Sequence, residues 1–184
     1  MAAMSNSLPN RTPMNIPEIH AYLFRARQDL WAALKSAPPE ALSQPMLPGP
    51  EFHCIKDLLF HIIAVQDGWV HEDILRQPPI LASIPELNDT PGGPNYAEID
   101  LQTLFNYWQA VHESTSKYLS QLTEAELRRV VTPHDAPNDR FTVDGLLWHV
   151  MIHEIRHTAQ IAMLLRLQGI KPPSLDLYFF LPRN

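Results

Sequence analysis

The chain has 184 residues, 45% of them apolar and 18% charged, a balance that excludes a disordered polymer and predicts one domain. Fourteen Lys and Arg stand against 20 Asp and Glu, a formal charge of −6 with no basic cluster, so nucleic acid is not an expected partner. The single cysteine, Cys54, excludes an internal disulfide and any cysteine-built zinc or iron–sulfur site. No run of 18 apolar residues is present and the opening residues carry no apolar signal core, so neither a membrane span nor secretion is expected and the expected address is cytoplasmic.

Residues 1–15 are polar and read as a mobile segment ahead of one domain over 16–184. Pro17 then occupies a first-turn position, and Ile19, Tyr22, Leu23, Ala26, Leu30, Ala33 and Leu34 recur at helical spacing until Pro38 and Pro39. Residues 38–51 hold five prolines and read as a loop with one short turn at Glu40–Leu42. A second helix is expected over about 53–76, its buried stripe Ile55, Leu58, Leu59, Ile62, Val65, Trp69 and Val70. Residues 77–99, including the PGGPN run, form a long connector. Asp100 is placed to cap a third helix with Leu101, Leu104, Phe105, Trp108, Val111, Tyr118, Leu119 and Leu122 inward. Thr123 and Glu126 have capping-box spacing for one extra turn, and residues 128–143 suit a short hairpin. The last helix runs from about Thr142 to Gln168, with Gly169 as its C′ residue and Pro172–Pro173 beyond. The apolar tail 174–184 is expected to pack back on the body. Four long amphipathic helices predict an all-α four-helix bundle.

Nine histidines carry the functional argument. His149, His153 and His157 form two chained His-x-x-x-His pairs on the last helix, against roughly 0.4 such pairs expected by chance in the whole chain. His153 and His157 share an inward row with Leu146, Val150, Ile161 and Leu164. A buried imidazole needs a hydrogen-bond partner or a metal, since leaving it bare costs about 1–3 kcal/mol. The residues alone leave both readings open. His61 lies near the edge of the second helix's apolar stripe, and turned inward it would complete a three-imidazole site suited to Zn²⁺, Ni²⁺, Fe²⁺ or Co²⁺. Three ligands leave positions open for water or substrate.

His153-Glu154-Ile155-Arg156-His157 also matches the H-E-x-x-H signature of zinc peptidases, with Glu154 as general base. No His or Glu follows His157 to serve as third ligand, and Gln160 and Met163 occupy the positions that the extended motif gives to Gly and His. Glu154 therefore reads better as a supporting or solvent-facing residue.

Residues 17–170 resemble the DinB (DinB/YfiT-like) family. The resemblance is carried by IKDLLFHIIAVQDGWV and by FTVDGLLWHVMIHEIRHTAQIAMLLRLQG. The family pattern has one His in the second helix, His-x-x-x-His in the fourth, a Gln three residues later and a Leu-Arg-x-x-Gly ending. Here these are His61, His153, His157, Gln160, Leu165-Arg166 and Gly169. Thr158-Ala159 stands where the family commonly carries Arg-Gly. The resemblance implies a four-helix bundle, often a homodimer, with a divalent metal, zinc or nickel foremost, on His61, His153 and His157. It also implies a metal-dependent enzyme, hydrolase-like or transferring to a low-molecular-weight thiol, with a small-molecule substrate. A non-catalytic or stress-related metal-binding bundle is the alternative.

Glu154, Arg156 and Gln160 are the candidates for a catalytic part: Arg156 could bind an anionic group and Gln160 could hold a ligand. His149 reads as a helix-face or supporting residue, Trp69 as a possible pocket wall and Cys54 as structural. His20, His53, His71, His112 and His134 have no partner at diagnostic spacing and read as scattered polar or capping residues.

Overall fold

The computed structural model describes residues 15–49, 52–88 and 97–181. The expected mobile segment, apart from Asn15, and the PGGPN run lie outside the described residues. α1 (Ile16–Ser36) starts at Asn15, whose side chain accepts the Glu18 amide while the Glu18 carboxylate accepts the Asn15 amide. The short turn expected at Glu40–Leu42 in the proline-rich stretch forms as α2 (Pro39–Ser43), one residue longer at each end. α3 (Ile55–Asp67) does not run as one α-helix to residue 76. It widens into a π-helix over Gly68–Leu75, closed by Arg76 in the left-handed conformation at φ 57°. A 3₁₀ turn (Ile80–Ser83) and α4 (Pro85–Asn88) follow.

The side chain of Asp100 caps α5 (Leu101–Leu119) at the Gln102 amide, and Thr123 caps α6 (Glu124–Arg128) at the Glu126 amide. The hairpin is two residues deep: β1 (Val130–Val131) pairs antiparallel with β2 (Phe141–Thr142), Val130 opposite Thr142. Thr142 then caps α7 (Val143–Leu167). At its far end the Gly169 amide reaches the Arg166 carbonyl and the Ile170 amide reaches the Leu165 carbonyl, with Gly169 at φ 73°. That is a Schellman turn, which favours glycine. The tail folds back as a 3₁₀ turn (Leu177–Phe180), with the Tyr22 hydroxyl donating to the Leu175 carbonyl.

α1, α3, α5 and α7 form the bundle. α7 lies between α1 and α3, and α5 closes the square on the other side. One core cluster joins all four helices around Leu30, Leu59, Ile63, Trp108 and Ile161. Among the described residues no helix is long and apolar enough to cross a membrane.

The core also holds polar groups where periodicity predicts none. Arg27 lies in α1 among Leu23, Leu30 and Trp31, with its guanidinium 4.3 Å from the Trp108 ring centre. Its Nε and Nη2 donate to both carboxylate oxygens of Glu154 at 3.0 and 2.7 Å, and each side chain is 5% exposed. Nη2 also reaches Gln66 Oε1 at 3.4 Å, and Gln66 donates to the Thr115 hydroxyl at 3.0 Å. Glu154 is thus not solvent-facing. The chain Glu154–Arg27–Gln66–Thr115 touches α7, α1, α3 and α5 in turn. Nearby, His20 is buried and stacks on His112, which stacks on Phe24. These two histidines are core aromatics rather than scattered polar residues.

Two predictions follow from this core. Removing the charge of one partner leaves the other buried without compensation, so Glu154→Gln should lose about 3–5 kcal/mol of unfolding free energy in a denaturant titration. Burial, with Arg27 and His112 adding to it, lowers the His20 pKa from 6.5 to about 3. The unfolded chain therefore takes up a proton below pH 6.5 that the folded chain refuses, so this contribution to stability is complete above pH 6.5 and falls as the pH drops towards 3. The slope is about 1.4 kcal/mol per pH unit for one such group. His20→Phe should lose melting temperature less steeply than the wild type between pH 6.5 and 4.

Candidate metal centre

α3 and α7 pack along their length, and three imidazoles meet at their seam. His61 stands on the rim of α3's buried face and is half-buried. His153 and His157 sit one turn apart on α7 and are buried. Their candidate ligand nitrogens all lie within 4.8 Å of one another. His61 Nε2 is 3.0 Å from His153 Nε2, and the three ring centres are 4.3–4.8 Å apart.

Supporting contacts fix the rings. Nδ1 of His157 lies 2.5 Å from Gln160 Oε1, an acceptor, so Nδ1 carries the proton and Nε2 keeps its lone pair. Phe52 covers one side, its ring centre 4.3 Å from His61 and 6.4 Å from His157. It enters from the loop before α3 with φ at 57°, a conformation few non-glycine residues adopt.

The electrostatics keep the rings neutral. Burial is the largest cause of each lowered pKa. His61 falls to about 4, with His157 and Arg156 adding to it, and His153 to about 3, with His157, His61 and Arg156 adding. For His157 burial lowers the pKa, the Gln160 contact opposes it, and Arg156 lowers it further. Neutral imidazoles are the form that binds metal. Three such donors on two helices, two of them 3.0 Å apart, suit a borderline divalent ion. One side chain of the set stays half-exposed, so the seam is reachable from solvent.

The other candidates separate. Gln160 touches His157 from an exposed position. Arg156 is exposed and makes its charge felt at all three rings. Both carboxylate oxygens of Glu154 are taken by Arg27, so it is not poised as the general base of an H-E-x-x-H peptidase. His149 is exposed, its ring 5.8 Å from His153 and edge-on to Trp69 at 5.4 Å. Trp69 therefore borders His149 rather than the three-ring cluster. Cys54 is buried at the cap of α3, and burial raises its thiol pKa. His53 is half-buried and His134 is exposed beside Asp135. His71 is neither scattered nor a cap: it is buried against Asp67 one turn before it. Sequence reasoning missed Phe52 and Arg27. Phe52 lies outside any periodic stretch, and Arg27 finds its partner 127 residues away.

On the other flank of α7 a cavity of about 690 Å³ opens between α1, α7 and residues 171–177, with Arg27, Glu154 and Thr158 among its walls. None of the three clustered histidines lines it.

Comparison with known proteins locates the fold. A conserved protein from Enterococcus faecalis superposes with a TM-score of 0.67 at 20% identity, covering 84% of this chain and 97% of its own. YfiT from Bacillus subtilis, described as a probable metal-dependent hydrolase with an unusual four-helix bundle topology, gives 0.62 at 15% identity over 89% and 93%. A DinB-like protein from Bacillus cereus gives 0.58 at 18% identity over 89% and 99%. None of the curated proteins matches this chain in sequence. At these identities the structures establish a shared four-helix bundle, and sequence establishes kinship. The model of the DinB family matches residues 4–183, and the chain belongs to that family.

Proposed function

We propose that the protein is a metal-dependent enzyme that holds one divalent ion, zinc or nickel, on His61, His153 and His157. It acts on a small molecule, by hydrolysis or by transfer to a low-molecular-weight thiol. The observation that carries this reading is the set of three neutral imidazoles from two helices with their nitrogens within 4.8 Å. The description of YfiT as a probable metal-dependent hydrolase supports it. A divalent ion in such a site supplies Lewis acidity, which acidifies a bound water or thiol towards neutral pH.

The chain's own residues would shape the rest. Gln160 holds the His157 proton on Nδ1 and so directs Nε2 to the seam. Phe52 shields one side from solvent. Half-exposed His61 leaves the approach for substrate. Arg156 offers an exposed guanidinium to an anionic substrate group. The peptidase reading lacks its base, since Glu154 is bound to Arg27.

The reading extends to the assembly and its address. Exposed Ile152, Ile155, Met163 and Leu167 on α7 support a homodimer through that helix's outer face. One free cysteine, buried and without a disulfide partner, suits the cytoplasm.

Metal analysis of tag-free protein by mass spectrometry should give about one equivalent per chain, lost in His61→Ala and in His153→Ala. Full occupancy in His153→Ala would sink the assignment. Gln160→Ala should keep the fold but weaken metal affinity about 10–100-fold in a competitive chelator titration, as removal of a ligand's hydrogen-bond partner does elsewhere.

A further inference from the structure

A second ordered constellation shares no residue with the imidazole cluster. Asp67 ends α3 and is buried. One of its oxygens accepts the Tyr107 hydroxyl at 2.7 Å and the Leu81 amide at 2.9 Å. The other accepts the Ile80 amide at 3.0 Å and faces His71 Nδ1 at 2.7 Å. Burial alone would raise the Asp67 pKa, but the hydrogen bonds from His71, Tyr107, Leu81 and Ile80 outweigh it and hold the carboxylate ionised. His71 Nδ1 also lies 3.2 Å from the Asp67 backbone carbonyl, so it faces only acceptors and carries a proton, and in the neutral form of the ring Nε2 presents its lone pair. Nε2 lies 2.7 Å from the hydroxyl of Ser114, a half-buried residue of α5.

The order is carboxylate, imidazole, hydroxyl, with both links at 2.7 Å. A nucleophile within reach of a base that a third group orients is the geometric signature of covalent catalysis, whatever the fold or chain order. The base rides on the π-helix, a feature that often marks functional sites. Inside α5 the backbone amides are used by the helix, so charge on a developing oxyanion falls to a side chain. Lys117, exposed one turn on from Ser114, is the cation nearest in sequence on that side of the helix.

We infer that Ser114, activated by His71 and oriented through Asp67, is a nucleophile that gives the protein an acyl-ester hydrolase activity on small, unhindered esters, independent of the metal centre. The Ser114 oxygen bonds to the ester carbonyl carbon while its proton passes to His71 Nε2. The carbon–oxygen bond to the leaving alcohol breaks, and that alcohol departs with the proton from His71. Water then attacks the acyl-serine by the same route, releasing the carboxylic acid and restoring Ser114. The sum is ester plus water to acid plus alcohol. A purely structural brace of Asp67, His71 and Ser114 would tie α3 to α5 without making the hydroxyl reactive.

The full-length protein is treated with a fluorophosphonate probe and digested, and its hydrolysis of p-nitrophenyl acetate is followed before and after dialysis against a chelator. The expected result is phosphonylation at Ser114 and hydrolysis that survives the chelator. Ser114→Ala should then lose the label and lower the hydrolysis rate at least ten-fold. His71→Gln should slow labelling by a similar factor with its circular dichroism spectrum intact. Should that variant fail to fold, Ser114→Ala decides alone, since Ser114 is half-buried and its loss leaves the Asp67 contacts in place. No label on Ser114, or wild-type hydrolysis in Ser114→Ala, would overturn the inference. Hydrolysis that disappears with the metal would also overturn it, by assigning the activity to the imidazole cluster.

Discussion

The buried ion pair between Arg27 and Glu154 sets the geometry of the rest. It links α1 to α7, and through Gln66 and Thr115 it reaches α3 and α5. Four helices packed only by Leu and Ile can slide or rotate against one another at small energetic cost, because apolar contact has no direction. A guanidinium bound to both oxygens of one carboxylate has a single satisfactory arrangement. Apolar residues of like volume could match the pair in stability. What the pair adds is the rotation of α7 about its own axis.

That rotation determines the imidazole cluster. Glu154 follows His153 directly, so the two side chains point about 100° apart around the helix. With Glu154 held by α1, His153 and His157 face the seam with α3, where His61 meets them. α7 is thus buried on two flanks with different chemistry, ionic towards α1 and imidazole towards α3. The depressed basicity of the three rings has the same origin. Packing between two long helices strips them of water, and the positive charge of Arg156 on the exposed side adds to the effect.

Much of this was legible in the sequence because it is written in local spacing. The caps at Asp100 and Thr123 and the turn at Gly169 are local, and all form where the residues predict them. The inward row from Leu146 to Leu164 contains His153 and His157 and is buried. The π-helix was not legible, since Gly68 and its neighbours carry no signal that separates a wide turn from an ordinary one. Arg27 is not legible as a core residue, because no local rule assigns a charged residue to a core face when its partner lies 127 positions away. Asp67 and His71 stand one turn apart in the chain, but a single Asp-x-x-x-His spacing is not diagnostic by itself. The third member, Ser114, is 43 residues further on and meets His71 only through packing. Phe52, in a proline-rich loop with positive φ, follows no periodicity at all.

The placement of Arg27 has a consequence for how the chain is made. Synthesis runs from the amino terminus, so α1 leaves the ribosome long before the residues of α7 are joined. Until then Arg27 has no carboxylate to meet in the core, and no amino-terminal fragment can close the bundle around it at low cost. The segment that supplies Glu154 also supplies His153 and His157, all three within residues 153–157. Core closure and assembly of the imidazole cluster therefore both wait for α7 and rest on contacts 127 and 92 residues apart in the sequence, the kind that make folding slow. A nascent chain holds His61 alone, so a fragment stalled before α7 would display neither the closed core nor the cluster.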